Sequence, residues 1–138
     1  MAEHLWFWLI DLIIPGLLLA TGAAWRRFAP RRIDPHRGYR TARSTASGVA
    51  WRYAQRYFSA LCLRFGATLL LLVSADRLIN LLAGLMPPAR LAYLNTAVGL
   101  GLFLSIVPLV ELALAGRFDG RVDGGDTRAG ARPLRPAA

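Results

Sequence analysis

Three long apolar runs divide the chain, at residues 5–24, about 59–86 and 91–115. Roughly twenty helical residues, rising about 1.5 Å each, cross the hydrocarbon core of a bilayer, so each run is long enough to span. Pro87 and Pro88 stop the second run. Only Met86 to Arg90 separate it from the third, which predicts an antiparallel helical hairpin. The second run is longer than a perpendicular crossing needs, so tilt or an interfacial first turn is expected. A polar loop, residues 25–58, joins the first two runs, and its pattern changes partway. Pro30 and Pro35 forbid a regular helix early on, and Gly38 can supply a positive φ for a tight turn. Further on, Val49, Ala50, Tyr53, Ala54, Tyr57, Phe58 and Leu61 recur at helical spacing, with Arg52, Gln55, Arg56 and Ser59 on the other side. Ser44, Thr45 and Ser47 are candidate N-caps. The pattern predicts an amphipathic interfacial helix leading into the second span, with Trp51, Tyr53 and Tyr57 at the headgroup level. The predicted fold class is therefore all-α: an integral membrane bundle of three transmembrane helices with that interfacial helix before the second span. It forms a single membrane domain over residues 1–115. The remainder, 116–138, is rich in Gly, Pro, Arg and Ala and is expected to be a disordered tail.

Composition sharpens this picture because its two halves conflict unless they are segregated. Hydrophobic residues make up 55% of the 138, yet the net charge is +9 and every one of the 17 basic residues is arginine. Nine arginines fall between Trp25 and Phe58, five follow Gly116, and the amino-terminal segment before the first span has none. Short cytoplasmic loops are enriched in Lys and Arg. The expected topology is amino terminus outside, long loop inside, Met86 to Arg90 outside and tail inside. A signal peptide would carry its positive charge before the apolar run. Here Arg26 and Arg27 follow it, so the first run is expected to remain as a span, although the small residues from Gly22 to Ala24 resemble a cleavage site. A nucleic-acid-binding domain would interleave its charges with its core, and none is expected to bind here.

Few side chains suggest catalysis. Cys62 lies in an apolar run and reads as a small buried residue. His4 and His36 are isolated. Asp119, Asp123 and Asp126 lack the spacing and closing glutamate of a calcium loop. With no nucleophile–base pair, metal-ligand cluster or phosphate-cradling glycine loop, no enzyme, metal or cofactor is expected, and Gly99 to Gly101 reads as close helix packing.

The ionisable residues inside the runs are Asp11, Arg64, Asp76, Arg77 and Glu111, where charge is costly and needs partners. Depth in the expected topology matches Asp11 with Arg77. Asp76 and Asn80 share a face at i and i+4, with Asn95 at nearby depth on the third helix. Arg64, snorkelling outward along its aliphatic stem, matches Glu111 near the inner interface. Pro15 and Pro108 predict kinks beside Asp11 and Glu111. Pairing that sets bundle geometry is the favoured reading of these groups, with a proton relay through Asp11, Asp76 and Glu111 as the alternative.

Within the loop, Gly38-Tyr39-Arg40-Thr41 is followed by Ser44, then by Trp51 seven residues on and Ala54 three beyond. This spacing resembles the SdpI family of bacterial membrane proteins over about Asp34 to Gln55. Asp34 and Gln55 stand where that family has asparagine, Ala42 where it has proline, Arg37 where it has an apolar residue, and Thr45 to Ala50 contain no acid. The resemblance implies a multi-pass protein of the bacterial inner membrane that confers immunity to a toxic peptide or ties a cytoplasmic repressor to the membrane. Arg40 has a planar fork that can bind lipid phosphate, helix-end carbonyls or a carboxylate. Alternatively, Tyr39, Arg40 and Trp51 dock the loop against the bilayer and bundle. The other arginines read as solvated charge. Two further functions stay open: a small transporter subunit using the buried acids, and a scaffold whose basic loop binds membrane lipids.

Overall fold

The computed structural model describes residues 2–119. The elements are α1 (Ala2–Asp11), α2 (Ile13–Phe28), α3 (Ala42–Thr45), α4 (Gly48–Ala83) and α5 (Pro88–Phe118). Among the described residues, three stretches are long and apolar enough to cross a membrane: Leu5–Phe28, Gly48–Ala83 and Pro88–Phe118. By the length and composition of its helices the chain is a multi-pass membrane protein.

Every helix extends beyond its apolar run. The first continues through Arg26 and Arg27 to Phe28, and the third through Gly116 to Phe118, so the start of the expected tail is the last turn of α5. The rest of that tail, with Asp123 and Asp126, lies outside the described residues. The largest difference is α4. The amphipathic segment and the second span form one helix of 36 residues, about 54 Å long against a hydrocarbon core of about 30 Å. Ser47 is its N-cap, accepting from Ala50 N. Its other end closes at Gly84, whose φ is +60°, before the short turn into α5.

Pro15 has no N–H to return to the Asp11 carbonyl, and the helix is interrupted at Leu12, between α1 and α2. Leu12 N still donates to the Trp8 carbonyl and Gly16 N to that of Leu12, so the two halves form one span. Pro108 has no comparable effect, and α5 continues through it.

Helices α2 and α4 meet most closely where each has a glycine. A Cβ at Gly22 would lie 3.0 Å from Leu63 N, and one at Gly66 3.0 Å from Leu19 N. Small residues let helix backbones approach in this way when lipid supplies no hydrophobic drive. Ser59 Oγ uses the approach to donate to the Gly22 carbonyl at 2.9 Å. Gly99 packs against Leu69 and Ile14, whereas Gly101 is exposed and is not part of the packing. Leu18, Ala54, Leu61, Leu69, Val73, Ile106, Val110 and Leu114 belong to the core. Leu71, Leu82, Tyr93 and Leu112 form part of an apolar outer surface.

Candidate functional site

Polar side chains gather at the two ends of the bundle: the turn end, near residues 84–88, and the loop end, where residues 29–47 fold back over α2, α4 and α5. At the turn end, Arg77 Nη2 lies 2.6 Å from Asp11 Oδ2, with side chains 8% and 0% exposed. Arg77 Nε also donates to Asp11, and Nη1 donates to the Pro88 carbonyl at 3.0 Å. Asn95 Nδ2 donates to the same Asp11 oxygen at 3.2 Å. The pair expected from depth is therefore present and joins all three spans. Asp11 Oδ1 is buried without a hydrogen-bond partner.

Asp76 takes no part in this cluster. It is exposed on the outer surface of α4 while Asn80 is buried. Asn80 closes the turn instead, donating to the Met86 carbonyl and accepting from Met86 N. A shared face at i and i+4 was too coarse a criterion, because Arg77, one residue on, is the side chain aimed inward. The expected Arg64–Glu111 pair is also absent. The buried positions of α4 here are Cys62, Gly66, Leu69 and Val73. Arg64 is two residues, about 200° of helix, from Cys62 and is exposed.

Glu111 belongs to the loop end. Its Oε1 accepts from Tyr39 Oη at 3.1 Å, and its Oε2 lies 3.5 Å from Arg43 Nη1. Arg43 Nε reaches Asp119 Oδ2 at 3.0 Å. Burial, and then the hydrogen bond to Glu111, pushes the Tyr39 phenol up to about 12. The bond to Asp119 raises the Arg43 guanidinium further above its ordinary value. Sequence alone gives Arg43 as solvated charge, but it is paired. Its acidic partners are 68 and 76 residues away, a separation no local pattern reveals.

The motif residues form one clasp. Gly38 has φ +114°, and a Cβ there would meet the Trp51 ring at 2.7 Å. Trp51 is 0% exposed, and its indole N–H donates to the Pro30 carbonyl at 2.8 Å. Its side chain is therefore packed inside the folded loop. Thr41 and Ser44 cap α3 reciprocally, each backbone N–H donating to the other's hydroxyl. Ser44 Oγ also lies 3.0 Å from the Tyr39 carbonyl. Ala54 is fully buried. Arg40 is exposed, with Nη1 bonded to the Pro35 carbonyl of its own turn.

Sequence reasoning missed the centre of the clasp. Gln55 Oε1 accepts from both Trp25 Nε1 and Tyr39 N at 2.9 Å, and Gln55 Nε2 donates to the Tyr39 carbonyl. Helical spacing puts Gln55 and Ser59 on the polar side with Arg52 and Arg56, but both are buried, whereas Val49 from the apolar set is exposed. The i, i+4 spacing of two uncharged polar residues beside arginines was the available signal. Asp34, another departure from the family pattern, accepts from His36 N at 2.7 Å and Arg37 N at 3.2 Å. The His36 bond chiefly holds its carboxyl below the usual value.

Beside the clasp, between α2 and α4, lies an open cavity of about 630 Å³. Trp25, Gln55 and Ser59 line it together with Arg26, Arg27, Arg31, Arg52 and Arg56. No group of His, Cys, Asp and Glu among the described residues is placed to hold a metal ion. No family model matches the chain, and comparison with curated proteins and with solved structures gives no match either.

Proposed function

We propose that this chain is a bacterial inner-membrane binding protein of the immunity or signalling kind, whose loop end is a pre-folded recognition face. In this reading the loop end is cytoplasmic and the amino terminus outside, as the arginine asymmetry implies. The first turns of α4 lie in the headgroup zone. The protein then protects its host from a toxic peptide or holds a regulator at the membrane, without catalysing a reaction.

The observation that carries the reading is the clasp. Six of the seven positions that resemble the SdpI family, Gly38, Tyr39, Thr41, Ser44, Trp51 and Ala54, fold onto one another and, through Tyr39, onto α5, with Arg40 exposed beside them. A loop that served only to supply charge would need no buried tryptophan, no capping box and no glycine pressed against an indole ring. A preorganised face binds with less ordering cost than a flexible one, and Arg40 stands exposed on it. The transporter reading receives less support: Asp11 and Glu111 lie at opposite ends of the bundle, each tied to its own partners.

Arg40→Lys tests the proposal, since lysine keeps the charge and loses the planar fork. The expected outcome is loss of protection, or of regulator capture, in a sensitive host at normal membrane abundance. Lysine at both Arg31 and Arg32 should leave that activity intact. Equal protection by wild type and Arg40→Lys would count against a recognition face.

A further inference from the structure

Five arginines line the cavity beside the clasp, with no carboxylate among the lining residues; the guanidinium of one of them, Arg27, lies over the Phe28 ring, 5.9 Å from its centroid. One other arginine at the loop end, Arg43, is paired with carboxylates, those of Glu111 and Asp119. Helix dipoles offset only part of the cluster's charge. Arg26 and Arg27 lie in the last turn of α2, where positive charge offsets the negative helix end. Arg52 lies just inside the amino-terminal end of α4 and Arg56 one turn further on. Both lie past the first turn, so the helix dipole does not offset their charge. Arg31 lies in the loop. Within the chain the cluster repels itself, and an anion entering the cavity reverses the sign of that energy.

Two features narrow the anion. Guanidinium forks match phosphate oxygens bidentately, and five of them exceed what one singly charged phosphodiester can engage. The wall also continues beyond the arginines. Ser59, Ala60 and Leu63 line the cavity along α4, about one to two turns past Arg56 toward the span. Cationic mouth followed by apolar wall is the order of a lipid, phosphate first and hydrocarbon second. A soluble anion has no use for the apolar part.

We propose that this cavity binds the head of a membrane lipid bearing two phosphate groups. The arginines engage the phosphates, and the adjoining hydrocarbon lies along Ala60 and Leu63. Basic pockets between membrane helices are suited to such heads. The site goes beyond the recognition face, because it requires neither immunity activity nor a protein partner. It also holds for either orientation of the chain, since both leaflets of a bilayer carry phosphate.

Native mass spectrometry of the full chain in neutral detergent tests the proposal. The probes are diphosphatidylglycerol, phosphatidylglycerol at matched phosphate, phosphatidylcholine and inorganic pyrophosphate. Diphosphatidylglycerol is expected to bind roughly tenfold more tightly than phosphatidylglycerol, with phosphatidylcholine and pyrophosphate far weaker. Arg52→Gln with Arg56→Gln should weaken diphosphatidylglycerol roughly 30-fold, and Arg31→Gln alone about fivefold. Arg90→Gln, at the turn end, should leave it unchanged. Because Arg31 is an exposed loop residue, its variant keeps the test open should the double variant fail to fold. Equal binding of the two anionic lipids, or retention unchanged in Arg31→Gln, would overturn the site. Pyrophosphate binding as tightly as diphosphatidylglycerol would overturn the lipid and leave a soluble polyphosphate as the ligand.

Discussion

At the scale of single residues, the buried ion pair is the most demanding feature of the molecule. Asp11 and Arg77 lie in apolar helices, and removing one partner leaves the other with an uncompensated charge. Arg77→Leu is expected to destabilise the protein by about 1–3 kcal/mol. Adding Asp11→Leu should restore part of that loss. Restoration is partial because Arg77 also donates to the Pro88 carbonyl, a contact that no change at Asp11 replaces. Thermal unfolding of the two single variants and the double variant in detergent measures the coupling. Strict additivity would mean that the helices do not meet there. Gln55 makes the complementary point. Its identity and helical position were plain in the sequence, but its three hydrogen-bond contacts come from residues 16 and 30 positions away. A polar residue on a helix reads as solvated until the loop that covers it is known.

At the scale of elements, α4 organises the rest. Its central part packs on α2 through Gly22 and Gly66, and its first turns, with Ala50 and Ala54 in the core, meet the end of α5. There Tyr53 contacts Phe118, with ring centroids 5.8 Å apart, and Arg117 stacks over the Tyr53 ring. The amino-terminal end of α4 thus has its partner in the carboxyl-terminal end of α5. The glycine contact gives a direct test. Gly66→Leu inserts a side chain where even a Cβ would press on the Leu19 backbone, and overpacking of that kind costs about 1–3 kcal/mol. Gly101→Leu, with nothing within 4 Å of its Cβ, should unfold at the wild-type temperature. If both variants unfolded alike, the α2–α4 approach would not depend on glycine.

At the scale of the whole molecule, the two ends differ in chemistry. The turn end contains one buried ion pair and a short connection. The loop end contains the clasp, the Tyr39–Glu111–Arg43–Asp119 chain and the arginine cavity. Charge asymmetry of this size should orient the protein. Reporter fusions are expected to place residues 30–50 and the carboxyl tail in the cytoplasm, with Met86 to Arg90 outside. External labelling of a cysteine introduced at Gly48, exposed and free of the clasp contacts, would reverse the arrangement and with it the proposed recognition face.

The sequence by itself determined the number of long helices, their approximate limits, the hairpin between the second and third, and the depth match of Asp11 with Arg77. Each of these follows from local quantities: run length, rise per residue and the position of proline. The motif's spacing and the turn at Gly38 were legible for the same reason. Only the tertiary structure decided which polar side chains turn inward. Arg64 and Asp76 point away, while Gln55, Ser59 and Arg43 find partners within the molecule. Helical periodicity defines a face but not what covers it, and residues 29–47 have no periodic pattern from which their path over the bundle could be read. The gathering of five arginines around one cavity depends on that path and on the close approach of α2 to α4. It therefore becomes visible only when both helices and the loop are in place.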